Sequence, residues 1–118
     1  METSLNIDLS YLELMTDGDT DMKQTMLEML LEEIPQETEN LKVCYINSDW
    51  KAMNEVSHKF KSTLSYVGSD VLTNANLVIE EDSKLKNNIS GIKTQLDIIE
   101  RHAPLVLEDL RKILCETA

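Results

Sequence analysis

Residues 57–68, SHKFKSTLSYVG, predict one amphipathic helix that ends at a glycine and presents a histidine on its polar face. Apolar and small residues recur at helical spacing on one side of it. This expected buried stripe is formed by Met53, Ser57, Phe60, Leu64 and Val67. The opposite side carries Lys51, Asn54, His58, Lys61, Ser62 and Ser65. We therefore expect His58 to point to solvent, with Lys61 one helical turn away.

Helical spacing also extends towards the N-terminus. Asn6 or Asp8 is the expected cap of a short first helix. A long helix is predicted from about residue 19 to about residue 45, with a kink or a change of face at Pro35. Its expected buried stripe is Met22, Met26, Met29, Leu30, Ile34, Leu41 and Cys44 or Tyr45. Asn47 or Ser48 is expected to cap the histidine helix that follows.

Two more helices are predicted after Gly68. Ser69 or Asp70 can cap the first of them, with Leu72, Ala75, Asn76 and Ile79 facing inward, and residues 84–88 are expected to form a loop. The last helix begins near residue 89, and Pro104 is expected to kink or break it near His102. Its expected stripe is Ile92, Leu96, Ile99, Ala103, Val106, Leu110 and Ile113. The predicted fold class is all-α: an up-and-down four-helix bundle with a short extra N-terminal helix, in one domain over residues 1–118.

Composition excludes several classes of function. The chain has 22 acidic and 11 basic residues and a net charge of −11, which argues against nucleic acid and anionic membranes as partners. It has no apolar run long enough to span a membrane and no signal-peptide pattern, so a cytoplasmic protein is expected. Cys44 and Cys115 lack a C-x-x-C spacing; their even number allows a disulfide, but free thiols are expected, with any role left open.

A calcium loop is not favoured. Asp17, Asp19 and Asp21 alternate, and Glu28 falls at the twelfth position of such a loop. Its sixth position, however, is Met22, where the sharp turn of an EF-hand loop requires glycine.

The polar face of the histidine helix suits phosphoryl transfer. A neutral imidazole, with an unperturbed pKa of about 6.5, is a nucleophile near neutral pH. It can attack an aspartyl phosphate of a partner, and the ammonium of Lys61 can then steady the charge of the bound phosphoryl group. Small side chains at Ser62 and Ser65 leave room for a partner to approach. The chain has no phosphate-binding loop for a nucleotide, because none of its three glycines is followed by lysine.

These residues resemble the histidine-containing phosphotransfer (HPt) domain over about residues 7–115. The motif of that family is H-x-x-K-G with a second glycine ten residues after the histidine, and here it reads His58-x-x-Lys61-Ser62 with Gly68. Serine replaces the commonest residue, glycine, at position 62. The flanks agree as well, with Asp49-Trp50 before the histidine helix and Ile79-Glu80 after it.

The resemblance implies a monomeric phosphorelay intermediate with no kinase activity of its own. His58 would be phosphorylated on Nε2, Lys61 would neighbour the phosphate, and Gly68 would be structural. The implied partners are response-regulator receiver domains, a hybrid sensor histidine kinase, or both. No bound cofactor is expected, because the receiver domain would supply the Mg²⁺ and the aspartate.

Two other functions stay open. Residues 57–64 look superficially like the phosphorylated box of a histidine-kinase dimerisation segment, but Lys59 and Thr63 depart from that box and no ATP-binding domain follows in this chain. The second alternative is a non-phosphorylated helical adaptor that binds receiver or kinase domains.

His102 is interpreted as an ordinary surface or core histidine. The identity of the partners, the signal, the direction of phosphoryl flux, and whether the chain is a standalone protein or an excised domain also stay open.

Overall fold

The computed structural model describes residues 6–117, and this part of the chain forms five α-helices. They are α1 (Ser10–Thr16), α2 (Thr20–Ile46), α3 (Trp50–Ser65), α4 (Asp70–Leu85) and α5 (Ile89–Thr117). The four longer helices alternate in direction, each packs on the next, and α5 closes the bundle against α2. The predicted all-α bundle with a short N-terminal helix is confirmed. Residues 1–5 and 118 of the predicted domain lie outside the described residues.

The buried faces of α3, α4 and α5 follow the sequence pattern. All seven predicted positions of α5 are buried, as are the four predicted positions of α4. On α3 the predicted stripe is buried too, and Val67 continues it in the turn after the helix. Within residues 6–117, none of the helices combines the length and the apolar character that crossing a membrane requires.

The predicted stripe of α2 is wrong at two methionines. Met22 and Met29 are 48% and 39% exposed, and Met26 is only partly buried. The observed stripe is Leu27, Leu30, Ile34, Glu37 and Leu41. It is displaced by one residue from the methionine series, so it meets the core at a different angle. A glutamate lies within the true stripe, which is why the methionines gave the clearer apolar pattern.

The helix ends also differ in part from expectation. Asp49, rather than Asn47 or Ser48, caps α3 through its side chain, which accepts from the backbone N–H of Ala52. Ser69 caps α4 as predicted. Residues 84 and 85 of the predicted loop belong to α4.

Neither proline breaks its helix. Pro35 lies inside α2 and Pro104 inside α5, and both helices are continuous. Of the kink or break predicted near His102, the break is therefore wrong. A proline removes one backbone hydrogen bond, but α5 buries residues before and after Pro104, including Ala103 and Val106, so tertiary packing holds the helix together.

The segment before α1 packs on the end of α3. The backbone N–H of Asp8 donates to the Val67 carbonyl at 3.0 Å, and the rings of Tyr11 and Tyr66 lie 5.4 Å apart. Gly68 has a φ of +67°, and a Cβ there would lie 2.9 Å from the carbonyl carbon of Asp8 and closer still to its oxygen. Glycine is therefore required at position 68 for both its backbone conformation and the close approach.

An aromatic pair closes the connection between α2 and α3. The ring of Trp50, the single tryptophan of the chain, meets the ring of Tyr45 edge-on at 5.8 Å. Both residues are partly buried against the core. The pair therefore packs the end of α2 against the start of α3.

Candidate functional site

His58 lies midway along α3, and its side chain is 70% exposed. Its Nδ1 atom lies 2.6 Å from Oε2 of Glu80 on α4. The Lys61 ammonium donates to the other oxygen of the same carboxylate at 3.4 Å. The three side chains thus form a surface cluster in which Glu80 bridges the histidine and the lysine.

The hydrogen bond to Glu80 selects one form of the imidazole. The pKa of Glu80 is lowered, first by its hydrogen bond with His58 and further by Lys61, against an opposing effect of burial. An ionised carboxylate only accepts hydrogen bonds, so Nδ1 of His58 carries the proton that is donated. In the neutral ring the lone pair then lies on Nε2, the nitrogen that is not bonded to Glu80.

Buried polar contacts hold α3 and α4 in register beneath this cluster. The Ser57 hydroxyl lies 2.8 Å from Oδ1 of Asn76, and Nδ2 of Asn76 donates to the Ser57 carbonyl at 2.9 Å. One turn earlier on α3, Asn54 donates to the Glu80 backbone carbonyl at 2.7 Å. His58 and Glu80 are therefore placed by two helices whose relative position is fixed by paired buried groups.

The other predicted site residues lie outside the hydrogen-bonded cluster. Ser62 and Ser65 are exposed, and the Ser65 hydroxyl donates to the Ser62 carbonyl at 2.6 Å. This hydroxyl satisfies the backbone of its own helix rather than facing the imidazole. Gly68 lies beyond the C-terminal end of α3, where it contacts the segment before α1.

Sequence reasoning missed the part played by Glu80, which entered only as a flanking position of the family pattern. A signal for it was present. Ser57 and Asn76 are polar residues in two otherwise apolar stripes, which predicts that they face each other. Glu80 follows Asn76 by one turn, so the same pairing brings it to the face of α3 that carries His58.

The remaining sequence candidates have simpler surroundings. Cys44 and Cys115 are free thiols, and burial raises the pKa of Cys44. α2 begins at Thr20, inside the alternating aspartates, so these residues do not form a calcium loop. Across residues 6–117, no group of three or more histidine, cysteine or acidic side chains is arranged to hold a metal ion. His102 is half-buried, and its Nε2 has no hydrogen-bond partner within the described chain.

Two solved structures share this fold. The histidine-containing phosphotransfer protein B (HptB) from Pseudomonas aeruginosa PAO1 matches with a TM-score of 0.86 and 16% identity, over 97% of this chain and 98% of that one. The HPT domain from the Hpt sensor hybrid histidine kinase from Shewanella matches with a TM-score of 0.70 and 18% identity, over 93% and 94%. No family model matches the sequence, and no curated protein is similar to it. The chain thus has the HPt fold, although its sequence differs greatly from the sequences of both proteins.

Proposed function

We propose that this chain, which has the HPt fold, is a phosphorelay intermediate that accepts a phosphoryl group on Nε2 of His58 and passes it on. The observation that carries the proposal is the hydrogen bond from Nδ1 of His58 to Glu80, with the imidazole 70% exposed. That hydrogen bond keeps the proton on Nδ1 and leaves the Nε2 lone pair available to attack a phosphoryl group. The implied donors and acceptors are aspartates of receiver domains.

The transfer step balances without a cofactor in this chain. The Nε2 lone pair attacks the phosphorus of an aspartyl phosphate, the P–O bond to the aspartate breaks, and the aspartate leaves as a carboxylate. The ring keeps its proton on Nδ1 and becomes positively charged, and the Glu80 carboxylate opposite Nδ1 stabilises that charge. Transfer onward reverses these bonds on a second aspartate.

Lys61 and the small residues have separate tasks in this proposal. The Lys61 ammonium, about half exposed, can leave Glu80 and approach the oxygens of the phosphoryl group. Ser62 and Ser65 have short side chains, which leave room around the imidazole for the loops of a receiver domain. The receiver domain supplies the Mg²⁺. Exposed apolar side chains on α1 and α2, including Leu14, Met15 and Met22, extend the surface available for docking.

Phosphoryl transfer from a phosphorylated receiver domain to wild type and to His58→Gln tests the proposal. We expect acid-labile, base-stable label on wild type alone, with both proteins equally helical by circular dichroism. Label on the glutamine variant would show that another residue is the acceptor. If wild type binds receiver domains and takes no label from them, the chain is an adaptor instead.

Incubation with ATP alone separates a carrier from a kinase. The carrier mechanism takes its phosphoryl group from a partner, so no label is expected with ATP and Mg²⁺ in the absence of other proteins. We also expect a monomer by sedimentation. Label from ATP alone would contradict the carrier mechanism.

A further inference from the structure

A groove between α2 and α3 contains a carboxylate that is not fully hydrogen-bonded. Glu37 occupies a core position of α2 and is only 6% exposed. Its Oε1 accepts from Nδ2 of Asn40 at 2.8 Å. Its Oε2 is shielded from solvent and has no hydrogen-bond partner in the described part of the chain.

Such a carboxylate is a poor choice for stability alone. Its neighbours along the same stripe are apolar, with Ile34 and Leu41 both fully buried. Burying a carboxyl group without a full set of hydrogen-bond partners costs free energy, and an aliphatic residue would fill the same position more favourably. A cation in the groove would supply the missing interaction once the Glu37 carboxyl group rotates to present Oε2 to it.

The groove has the size and charge to take one basic side chain. Its volume is about 280 Å³, and it is lined by Met29, Glu32, Glu33, Gln36, Glu37 and Lys59. Glu33 is held there by the Thr63 hydroxyl, which donates to it at 3.1 Å. Three carboxylates face a single ammonium, so the groove keeps net negative charge. Met29 offers an apolar wall for an aliphatic stem.

An organic cation fits better than a metal ion. No cluster of three or more potential metal ligands is close enough to hold one between residues 6 and 117. One oxygen of Glu37 is already used by Asn40, and Gln36 is uncharged. A guanidinium or ammonium group, which needs only one or two acceptor oxygens at a time, suits this arrangement.

We propose that the groove between α2 and α3 binds a lysine or arginine side chain of the protein that docks over His58. Lys59 lines the groove and directly follows His58 in the chain, so a partner that covers the imidazole comes within reach of the groove. The statement that the cation belongs to a protein docked over His58, here called the docking part, rests on the proposed function. Binding of a cation by Glu37 does not.

Titration with n-butylguanidinium, followed by the amide NMR signals of Glu33, Glu37 and Thr63, tests the groove directly. We expect saturable shifts in wild type, and none with the neutral analogue n-butylurea. Glu37→Gln keeps the shape of the side chain and removes its charge, so the affinity should fall about tenfold or more. Glu28→Gln, which removes an exposed charge from α2 outside the groove, should bind as wild type does.

A further variant gives the opposite direction of change. Lys59→Gln removes the competing ammonium and should tighten binding of n-butylguanidinium. Equal shifts in wild type and Glu37→Gln, or equal shifts with n-butylurea, would overturn the proposal. Glu37→Leu should unfold at a higher temperature than wild type while losing the shifts, which separates loss of binding from loss of fold.

The docking part is tested by transfer from a receiver domain that labels wild type. Glu37→Gln should slow transfer relative to Glu28→Gln, with the lifetime of the phosphohistidine unchanged. Equal rates would overturn the docking part. If no receiver labels wild type, the proposed function and the docking part fail together, while the n-butylguanidinium titration still decides whether the groove binds a cation. His58→Gln should bind n-butylguanidinium as wild type does.

Discussion

Replacing Gly68 by alanine should destabilise the protein far more than replacing Gly18. Both glycines have positive φ, +67° and +80°, a conformation that costs alanine about 1–2 kcal/mol. They differ in their surroundings. An added Cβ at Gly18 meets no atom within 4 Å, whereas at Gly68 it overlaps the backbone of Asp8.

The clash at Gly68 adds two further losses. Moving the segment before α1 away breaks the hydrogen bond from Asp8 to the Val67 carbonyl, worth about 1 kcal/mol. It also loosens Ile7 and Leu9, which are almost fully buried, and each contributes about 1.5–3 kcal/mol when its burial is complete. With burial only partly lost, Gly68→Ala should cost about 3–5 kcal/mol in total.

Urea denaturation followed by far-UV circular dichroism measures both variants against wild type. We expect Gly18→Ala to lose about 1–2 kcal/mol and Gly68→Ala at least twice as much. A difference below about 0.5 kcal/mol between the two variants would refute the close approach to Asp8 as the reason for glycine at position 68.

Three further outcomes are expected at the site. Because the pKa of Glu80 is lowered, its ionised carboxylate stabilises the fold at pH values above the ordinary pKa of a carboxyl group. Urea titrations at a series of pH values measure the stability advantage of wild type over Glu80→Gln. This advantage should be full above about pH 5 and shrink as the pH falls through the lowered pKa. A constant gap down to acid pH would contradict this contact. Ser57→Ala removes the hydroxyl that donates to the buried Oδ1 of Asn76, while the bond from Nδ2 of Asn76 to the backbone carbonyl of residue 57 remains, and should cost about 1–3 kcal/mol by the same titration. Ser65→Ala, at an exposed position, should change little. Lys61→Ala should slow transfer or shorten the lifetime of the phosphohistidine, measured by decay of label, and unchanged kinetics would remove the role given to Lys61.

Periodicity predicted the core best where the buried stripe contained no charge. All seven buried positions of α5 followed from spacing alone, even across Pro104, because one apolar series was present and no other competed with it. On α2, Glu37 interrupts the buried series, and Lys23, only 14% exposed in its side chain, lies two turns before Leu30 on the same face. The exposed methionines therefore formed the more regular pattern.

Helical periodicity predicted the site only where it lies on one helix. His58 and Lys61 share a face of α3, and helical geometry alone places them together. The contact with Glu80 depends on how α3 and α4 are aligned, which no periodicity within a single helix specifies. The groove at Glu37 was hidden for the same reason, since it is formed by side chains of both α2 and α3.

The pairing of Trp50 with Tyr45 gives this protein an intrinsic fluorescence reporter in a useful place. Trp50 is eight residues from His58, about 12 Å along α3 at the rise of an α-helix. Its emission should follow the packing of α2 against α3, and a phosphoryl group on the imidazole should leave its spectrum unchanged. Unfolding can thus be followed optically in phosphorylated and unphosphorylated samples alike, without a label near the reactive histidine.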